Sequence, residues 1–438
     1  MLEDRFGLPL STNSAVAVEA YVTAMDLLLS ANLGAGALLD EAIAQDKDFA
    51  LAHAAQARLK QMEAQGEQAK SWADRAVRLM PGLTPRERGH IEITSLAVEG
   101  RGAEAYRLIE EHVSTYPRDA LPLSFALGVY GLLGFSGRPD HHRAQRELLE
   151  SIAPDWGDDW WFRTYLGWSN IETGDCANGL KMVESALADN PLNGHAAHAY
   201  GHGFYEIGDV SAGVNFLVEW LPTHDNRSPL HCHLSWHHAL FELERGNADG
   251  AAAIYDKSIR PAAAHSVPMF TLVDCAAFLW RGVIFGHPPP DSDTRETANY
   301  ALTHFPHAGQ AFVNLHTALA LAAAGDEDEL AAHLEEVRQL VAEGRQPPGQ
   351  VIETVCAGIA AFARRDFDDA VGLLVKARGE IERIGGSHAQ LDVVTDTLIV
   401  ACLRAGRRDE AEQEMLSRSR RRAKHLDAAW LERLVSAH

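Results

Sequence analysis

Two ladders of regularly spaced residues constrain the fold of this chain more than any other feature. The first is a ladder of prolines with steps of 36, 37, 37 and 38 residues: Pro81, Pro117, Pro154, Pro191 and Pro229. The second is a ladder of turn residues with steps of 32 to 41: Gly34, Gly66, Gly100, Gly137, Gly174, Gly208, Gly246, Gly286, Gly325, Arg365 and Gly406. Self-similarity at such a period is typical of arrays of stacked repeats.

The segments between the turn residues predict helices. Apolar residues recur at helical spacing, as in GLKMVESALADNP after Gly174, and alternating β-branched runs are nearly absent. A glycine just past a helix supplies the left-handed cap that ends it, so each unit is predicted as helix, short turn, helix. One hairpin cannot bury its apolar face alone, so about ten must stack into a curved array. The sequence therefore predicts an all-α, tetratricopeptide-like solenoid of helical hairpins, a superhelix.

The array is predicted to form a single helical-repeat domain over residues 1–438. Residues 1–33 would be an N-terminal segment and the first helix, 34–416 the stacked pairs, and 417–438 a C-terminal helix. In tetratricopeptide geometry the first helix of each pair lines the inner surface, which is where a site is expected. The basic run from Arg418 to Lys424 is predicted to lie on a solvated last helix, with an interaction tail as the alternative.

Charge and cysteine usage exclude several classes of function. The 61 acidic and 39 basic residues give a net charge of −22, which repels phosphate backbones and anionic lipids, so no nucleic-acid or membrane partner is expected. The five cysteines show no CxxC spacing and indicate reduced thiols. Neither a leader peptide nor a long apolar span is evident, so a cytoplasmic location is expected. The oligomeric state is left open.

Histidines cluster on two consecutive first helices. His195, His198 and His202 are three and four residues apart, which places them on one helix face together with Glu206. They stand 13, 10 and 6 residues before their turn glycine, and in the next unit two more histidines stand 13 and 9 before theirs. That pair, His233 and His237, is therefore in register with the first stripe.

The same count identifies candidate neighbours of the histidines. Trp161, Tyr165 and Trp168 occupy these positions in the preceding unit. The following units offer Asp274, Trp280, Arg281 and His316. Flat apolar walls mixed with proton-exchanging and charged groups are the usual content of a ligand pocket.

Three interpretations of the histidine cluster stay open. In the favoured one, His198, His202, His233 and His237 include a general acid and base, oriented by Asp274 or Glu206, while Arg281 holds an anionic group. In the second, the same four histidines bind zinc or another transition metal, with Glu206 or Asp274 completing the site. The HExxH pattern is absent and no further ligand is evident at an unambiguous spacing, so no cofactor is predicted. Structural packing is the third interpretation.

Several segments resemble the tetratricopeptide repeat protein 38 family. They are GLPLSTNS near the start, AAHAYGHGFYE, HLSWHHALFELERG, LVDCAAFLWR and FVNLH, and the resemblance runs from about residue 7 to the C-terminus. It implies a cytosolic helical-repeat superhelix. It also supports these site positions: His198, His202, His233, Trp236, His237, Asp274, Arg281 and His316.

The leading functional hypothesis is an inner pocket, lined by histidine and tryptophan, for a small amphipathic or anionic molecule. In its catalytic version the pocket transforms that molecule by acid–base chemistry, so whether the protein is an enzyme stays open. The predicted catalytic residues are His198, His202, His233, His237 and Asp274. The predicted ligand-binding residues are Trp161, Tyr165, Trp168, His195, Trp236, Trp280, Arg281 and His316. The alternative is a non-catalytic tetratricopeptide adaptor that holds a peptide or protein in its concave groove.

Overall fold

The computed structural model describes residues 2–422 and residue 427. Apart from one short antiparallel pair, β1 (Leu2–Glu3) and β2 (Pro9–Leu10), the regular structure of these residues is helical. The predicted all-α helical solenoid is therefore confirmed.

Twenty-two α-helices follow one another along the described chain. The first eleven are α1 (Ala15–Leu29), α2 (Ala35–Gln45), α3 (Ala50–Met62), α4 (Gly66–Arg78), α5 (Pro85–Val98), α6 (Gly102–Thr115), α7 (Ala120–Ser124), α8 (His141–Ile152), α9 (Trp160–Glu172), α10 (Cys176–Asp189) and α11 (Gly194–Ile207). The others are α12 (Val210–Trp220), α13 (His231–Glu244), α14 (Ala248–Ile254), α15 (Pro268–Phe285), α16 (Asp291–His304), α17 (Ala311–Ala324), α18 (Glu327–Ala342), α19 (Gln350–Ala363), α20 (Phe367–Ala377), α21 (His388–Arg404) and α22 (Arg408–Ser419). Short 3₁₀ turns lie at Ala153–Asp155, Leu221–Thr223 and Ile381–Ile384, and a π turn at Tyr255–Ile259.

Ten of the eleven predicted turn residues adopt the left-handed backbone, including Arg365 at φ 64°. The exception is Gly66, which begins α4, whereas Ala64 takes the left-handed conformation at φ 57°. The turn starts two residues earlier there because α3 already ends at Met62. Each ladder proline lies shortly before the first helix of the next hairpin, as the sequence predicts.

Small residues let the helices of a hairpin pack closely. A methyl group built on Gly167 of α9 would lie 2.7 Å from Val183 Cγ2 and 3.0 Å from the carbonyl oxygen of Gly179, both on α10. The two helices approach until backbone meets side chain, so the inner helices are held at fixed distances from the outer ones.

The last hairpin packs onto the inner surface of earlier ones. Trp280 Nε1 on α15 donates to Thr397 Oγ1 on α21 at 2.9 Å, and Arg281 Nη2 donates to the Ala389 carbonyl at 2.8 Å. Tyr205 on α11 donates its hydroxyl to Asp392 on α21. Helix α21 therefore lies across the inner face of α9 to α15, so part of the concave surface is internal.

Helix α15 is the longest helix of the described residues, and it is strongly apolar. Its 18 residues have a mean hydropathy of 1.4, so by length and composition it could cross a bilayer. In the structure 72% of this helix is buried, and its two charged residues, Asp274 and Arg281, are 0% exposed. Such burial is that of a core helix.

The prediction that the basic run is solvated is wrong at two of its arginines. Arg418 and Arg422 are 5% and 2% exposed. Arg422 Nη2 donates to both carboxylate oxygens of Glu244 at 2.7 Å, and its guanidinium lies 3.5 Å from the centre of the Tyr205 ring. Glutamates on the inner face attract the run and remove it from water. The rest of the predicted C-terminal helix, 423–426 and 428–438, lies outside the described residues.

Candidate functional site

The structure brings four histidines together, as their shared register predicts. His198 and His202 lie on α11, His233 and His237 lie on α13, and one ring nitrogen of each falls within 4.8 Å of the others. The four residues are 7%, 0%, 2% and 0% exposed. We call these four residues the histidine cluster.

Two carboxylates orient the rings of the histidine cluster. His202 Nδ1 donates to Glu172 Oε1 at 2.8 Å, and His233 Nδ1 donates to Asp274 Oδ1 at 2.7 Å. Both Nε2 atoms are therefore left for the interior of the cluster, where His202 Nε2 lies 2.9 Å from His198 Nε2. Among the described residues, His233 Nε2 and both ring nitrogens of His237 have no hydrogen-bond partner.

Burial keeps the cluster neutral at His198 and His237. It lowers the pKa of both imidazoles well below the usual value, and the neighbouring histidines lower it further. Arg281 adds to this effect at His237. A neutral imidazole offers a lone pair on one ring nitrogen, so these rings are suited to accept a proton or to bind a metal.

The local sequence explains how α11 carries its histidines inward. Asn193 caps the helix through Oδ1, which accepts from the Ala196 amide at 3.1 Å. Beyond the cap, alanines and glycines separate the histidines in GHAAHAYGHG, and these small side chains leave room for the rings. On α13, Trp236 stacks on His233 with ring centres 5.2 Å apart and an angle of 10°, which fixes that imidazole from the side.

Glu172 is the site residue that reasoning from the sequence missed. Glu206, which the sequence suggested as an orienting carboxylate, instead accepts from Arg421 Nη1 at 2.7 and 2.9 Å. A signal for Glu172 does exist, because Glu172, Glu206 and Glu244 each stand two residues before the turn glycine of three consecutive units. All three are 3% or 4% exposed. This repeated acidic position marks the inner face.

Three of the predicted ligand-binding residues form a separate group beside the cluster. Tyr165 stands between Trp161 and His195, with ring centres 5.3 and 5.6 Å away. Burial raises the pKa of Tyr165 to about 12 and lowers that of His195 to about 4. Trp168 lies closer to the cluster, with its ring centre 6.5 Å from that of His202.

The remaining predicted positions lie away from the histidine cluster or have internal partners. Arg281 Nε lies 3.4 Å from Asp396, so a ligand anion would have to compete with that carboxylate. Trp280 packs against Phe362 and bonds to α21. His316 pairs through Nδ1 with the Phe312 carbonyl at 2.7 Å.

The clearest cavity does not adjoin the histidine cluster. A space of about 230 Å³ lies between residues that include Phe135, Gln310, Arg345 and Arg383, and a second one of about 10 Å³ lies near His90. The histidine cluster lines neither. The ligand nitrogens of the four imidazoles lie within 4.8 Å of one another, which is the separation of ligands around a single ion.

The fold and the site together define a class: a helical-repeat protein with a buried histidine cluster on its inner helices. No known protein-family profile matches the chain. A solved structure of the P58(IPK) TPR domain is 15% identical, with 89% of each chain covered and a TM-score of 0.24. In a structure of Naa15/Naa10 bound to HypK, the matching chain is 10% identical, with 91% of this chain and 62% of that chain covered and a TM-score of 0.22. At these scores neither structure carries an argument about function, and the fold class rests on the helices themselves.

Proposed function

We propose that the protein is a metal-binding helical-repeat protein whose histidine cluster holds one divalent transition-metal ion. The observation that carries this proposal is the pair of buried carboxylates on the outer nitrogens of His202 and His233. Histidines that bind metals nearly always donate their second ring N–H to a carboxylate, a carbonyl or water, which fixes the tautomer and raises the basicity of the ligand nitrogen.

The spacing and the charges of the cluster fit such an ion. Nitrogens bonded to a tetrahedral zinc ion at about 2.0–2.1 Å stand roughly 3.3–3.4 Å apart. This value falls between the 2.9 Å of the His198–His202 pair and the 4.8 Å limit of the whole group, so small ring rotations suffice. The two carboxylates of Glu172 and Asp274 offset the charge of a divalent ion. Without an ion, both buried ring nitrogens of His237 lack a hydrogen-bond partner among the described residues, which is energetically unfavourable.

Four imidazoles suit zinc, copper, iron or nickel. A site filled by four protein ligands is typical of structural ions, whereas catalytic ions keep one position open. We therefore assign the ion the role of tying α11 to α13. This proposal departs from the metal-free expectation of the sequence because the sequence did not reveal the second carboxylate.

Metal analysis tests the proposal. Protein expressed with zinc and washed with a weak chelator should hold one equivalent more zinc than the double variant His202→Ala/His237→Ala. The matched control is His316→Ala, since His316 is equally buried on a neighbouring inner helix but lies outside the cluster. Equal zinc in the wild type and the double variant would overturn the proposal.

A second candidate function is the binding of a small anionic molecule near Arg58. Burial lowers the pKa of Arg58 to about 10, and no carboxylate within residues 2–422 or at 427 pairs with it. Its guanidinium lies 4.2 Å from the centre of the Phe125 ring and donates to Gln61. A partly buried cation without a paired carboxylate favours a ligand that brings an anionic group. Burial, and after it the charge of Arg58, lowers the pKa of His195, so this ligand would lie near that imidazole.

Thermal-shift measurements against small aromatic carboxylates and phosphates test this second candidate. Stabilisation should occur in the wild type and in Arg345→Met, whose arginine is exposed, and should vanish in Arg58→Met. Equal stabilisation of Arg58→Met would exclude the Arg58 site.

The adaptor hypothesis is supported by a different observation. The inner face already holds an arginine-rich segment of the chain itself, because Arg421 and Arg422 pair with Glu206 and Glu244. A basic peptide of a partner would meet the same carboxylates. Such a peptide should bind a chain truncated after Leu416 more tightly than the full chain, and equal binding to both would count against this groove.

We further propose membership of the tetratricopeptide repeat protein 38 family, on the strength of the sequence segments quoted above, and a cytoplasmic location. Family membership would be supported if variants of the quoted histidine segments and of their counterparts in a family protein changed metal content in the same way. Microscopy of a tagged chain tests the location.

A further inference from the structure

A second group of metal-binding side chains lies next to the histidine cluster. His142 on α8, Glu172 at the end of α9 and His388 at the start of α21 come from three separate helices, and their ligand atoms fall within 4.8 Å of one another. His142 and Glu172 are 4% and 3% exposed, whereas His388 keeps 16% of its side chain accessible.

The distances in this group are those of ligands around an ion. Glu172 Oε2 lies 3.6 Å from His142 Nε2 and 3.6 Å from His388 Nδ1. Hydrogen bonds between such atoms are about 2.7–3.2 Å long. Ligands bonded at about 2.0–2.2 Å to a tetrahedral ion stand roughly 3.3–3.6 Å apart. Neither ring nitrogen of His142 has a hydrogen-bond partner among the described residues.

The surroundings of this group are acidic on balance. Glu206 Oε1 lies 3.5 Å from His388 Nδ1, and Glu382 Oε1 lies 3.8 Å from the other ring nitrogen, Nε2. The guanidinium of Arg421, which pairs with Glu206, offsets part of this negative charge. Glu172 completes this acidic environment, since its Oε2 also lies 3.6 Å from His388 Nδ1.

One carboxylate joins the two groups. Glu172 Oε1 accepts from His202 Nδ1 at 2.8 Å, while Oε2 faces His142 and His388 and also accepts from the His388 amide at 3.1 Å. We infer that His142, Glu172 and His388 form a second transition-metal site, linked to the histidine cluster through Glu172. The linkage rests on the proposed function; the second site itself does not.

The ligand set indicates which ions fit. Two imidazoles and one carboxylate suit zinc, cobalt, iron or manganese in the divalent state. Three protein ligands leave a position for water, which is the pattern of sites with chemistry. The partial exposure of His388 gives that position a route to solvent.

Zinc stoichiometry of the full chain tests this inference, measured by metal analysis after equilibrium dialysis. The wild type should bind two ions. His142→Ala and His388→Gln should each bind one, and His237→Ala should bind one. The matched control is His141→Ala, since His141 is buried beside His142 but lies outside the ligand group, and it should bind two. His388 is partly exposed, so its variant keeps the test valid if His142→Ala does not fold.

The outcomes separate the two proposals. One ion in the wild type that is lost in His237→Ala but kept in His142→Ala and His388→Gln overturns the second site and leaves the histidine cluster. The reverse pattern supports the second site and overturns the cluster as a metal site. No ion in the wild type overturns both. The link through Glu172 predicts that Glu172→Gln loses one ion and binds the other 10- to 100-fold more weakly.

Discussion

Replacing Asp274 by asparagine tests how the histidine cluster is held in place. Asp274 is 0% exposed on α15, and its Oδ1 accepts from His233 Nδ1 at 2.7 Å. An asparagine oxygen can still accept this hydrogen bond, but the negative charge is gone. The change therefore removes the electrostatic part of the contact and leaves the shape of the core nearly intact.

The expected magnitude follows from the role of Asp274 beside a ligand. Loss of an outer carboxylate weakens metal binding about 10- to 100-fold. That range corresponds to about 1.4 to 2.7 kcal/mol of binding free energy. The weakening should appear at the ion held by the histidine cluster and leave the His142 group unchanged, because Asp274 contacts His233 and Cys232.

A competition titration measures this effect. Zinc is shared between the protein and a chromophoric chelator at pH 7, for the wild type, Asp274→Asn and Asp119→Asn. The last is a matched control, since Asp119 is 3% exposed and lies 2.9 Å from both His90 and His112, yet it is remote from the cluster. Zinc affinity should fall in Asp274→Asn alone. An unchanged affinity in Asp274→Asn, or an equal loss in both variants, would refute the reasoning.

Three further predictions concern stability, each measured by urea unfolding. Although burial opposes it, His90 and its neighbours lower the pKa of Asp119. The free energy of unfolding of the wild type should therefore exceed that of Asp119→Asn above the unfolded-state pKa of about 3.9, and the difference should shrink as the pH falls below it. A difference that grows in acid would contradict this. Arg422→Met leaves the buried charge of Glu244 unpaired and should lower the free energy of unfolding by about 3–5 kcal/mol. Arg345→Met, which changes an exposed pair, should lower it by about 0–1 kcal/mol. Similar decreases in both variants would contradict the effect of burial. Ala64→Gly should raise the free energy of unfolding by about 0.5 kcal/mol. The left-handed backbone costs alanine roughly 1–2 kcal/mol, and the greater flexibility of glycine in the unfolded chain offsets part of this gain. A lower free energy of unfolding would show that the turn tolerates alanine.

Much of the fold could be predicted from the sequence because the geometry of each repeat depends on residues that are close together in the sequence. A turn residue and a helical apolar pattern depend on a few neighbouring residues, so the ladder identified the hairpins and ten of the eleven left-handed turns. At Gly66 the left-handed residue is not the predicted one. The sequence does not fix where α3 ends to within two residues, and Ala64 takes the strained position instead.

Half of the candidate site could be predicted and half could not. The convergence of His198, His202, His233 and His237 followed from counting back to the turn glycines, because neighbouring repeats stack in register. The same count identified Asp274 as a neighbour of the histidines but left open whether Asp274 or Glu206 orients them; the pairing with His233 comes from the structure. Whether these residues bind a metal or catalyse a reaction stays a prediction.

The partners contributed by α8 and α21 could not be found this way. His142 lies on the neighbouring helix α8, at a position that the count back to the turn glycines does not cover. His388 meets Glu172 only because the last hairpin packs onto the inner face, a contact that joins residues 216 positions apart. Nothing in a local pattern encodes such a contact. The burial of Arg418 and Arg422 has the same origin, since a basic run on its own favours water.

If the histidine cluster binds an ion as proposed, the positions of Arg421 and Arg422, far behind His237 in the sequence, set when that ion can enter. At about 5–20 residues per second, a ribosome needs roughly 10 to 40 s to travel from His237 to Arg422. During that time the nascent inner helices lack the cover that Arg421 and Arg422 later provide. Under the proposal, loading is thus easiest during translation, and later exchange of the ion must wait for transient opening of the last hairpin. The proposal then implies that the finished protein keeps the ion that the cell offers while the chain is being made.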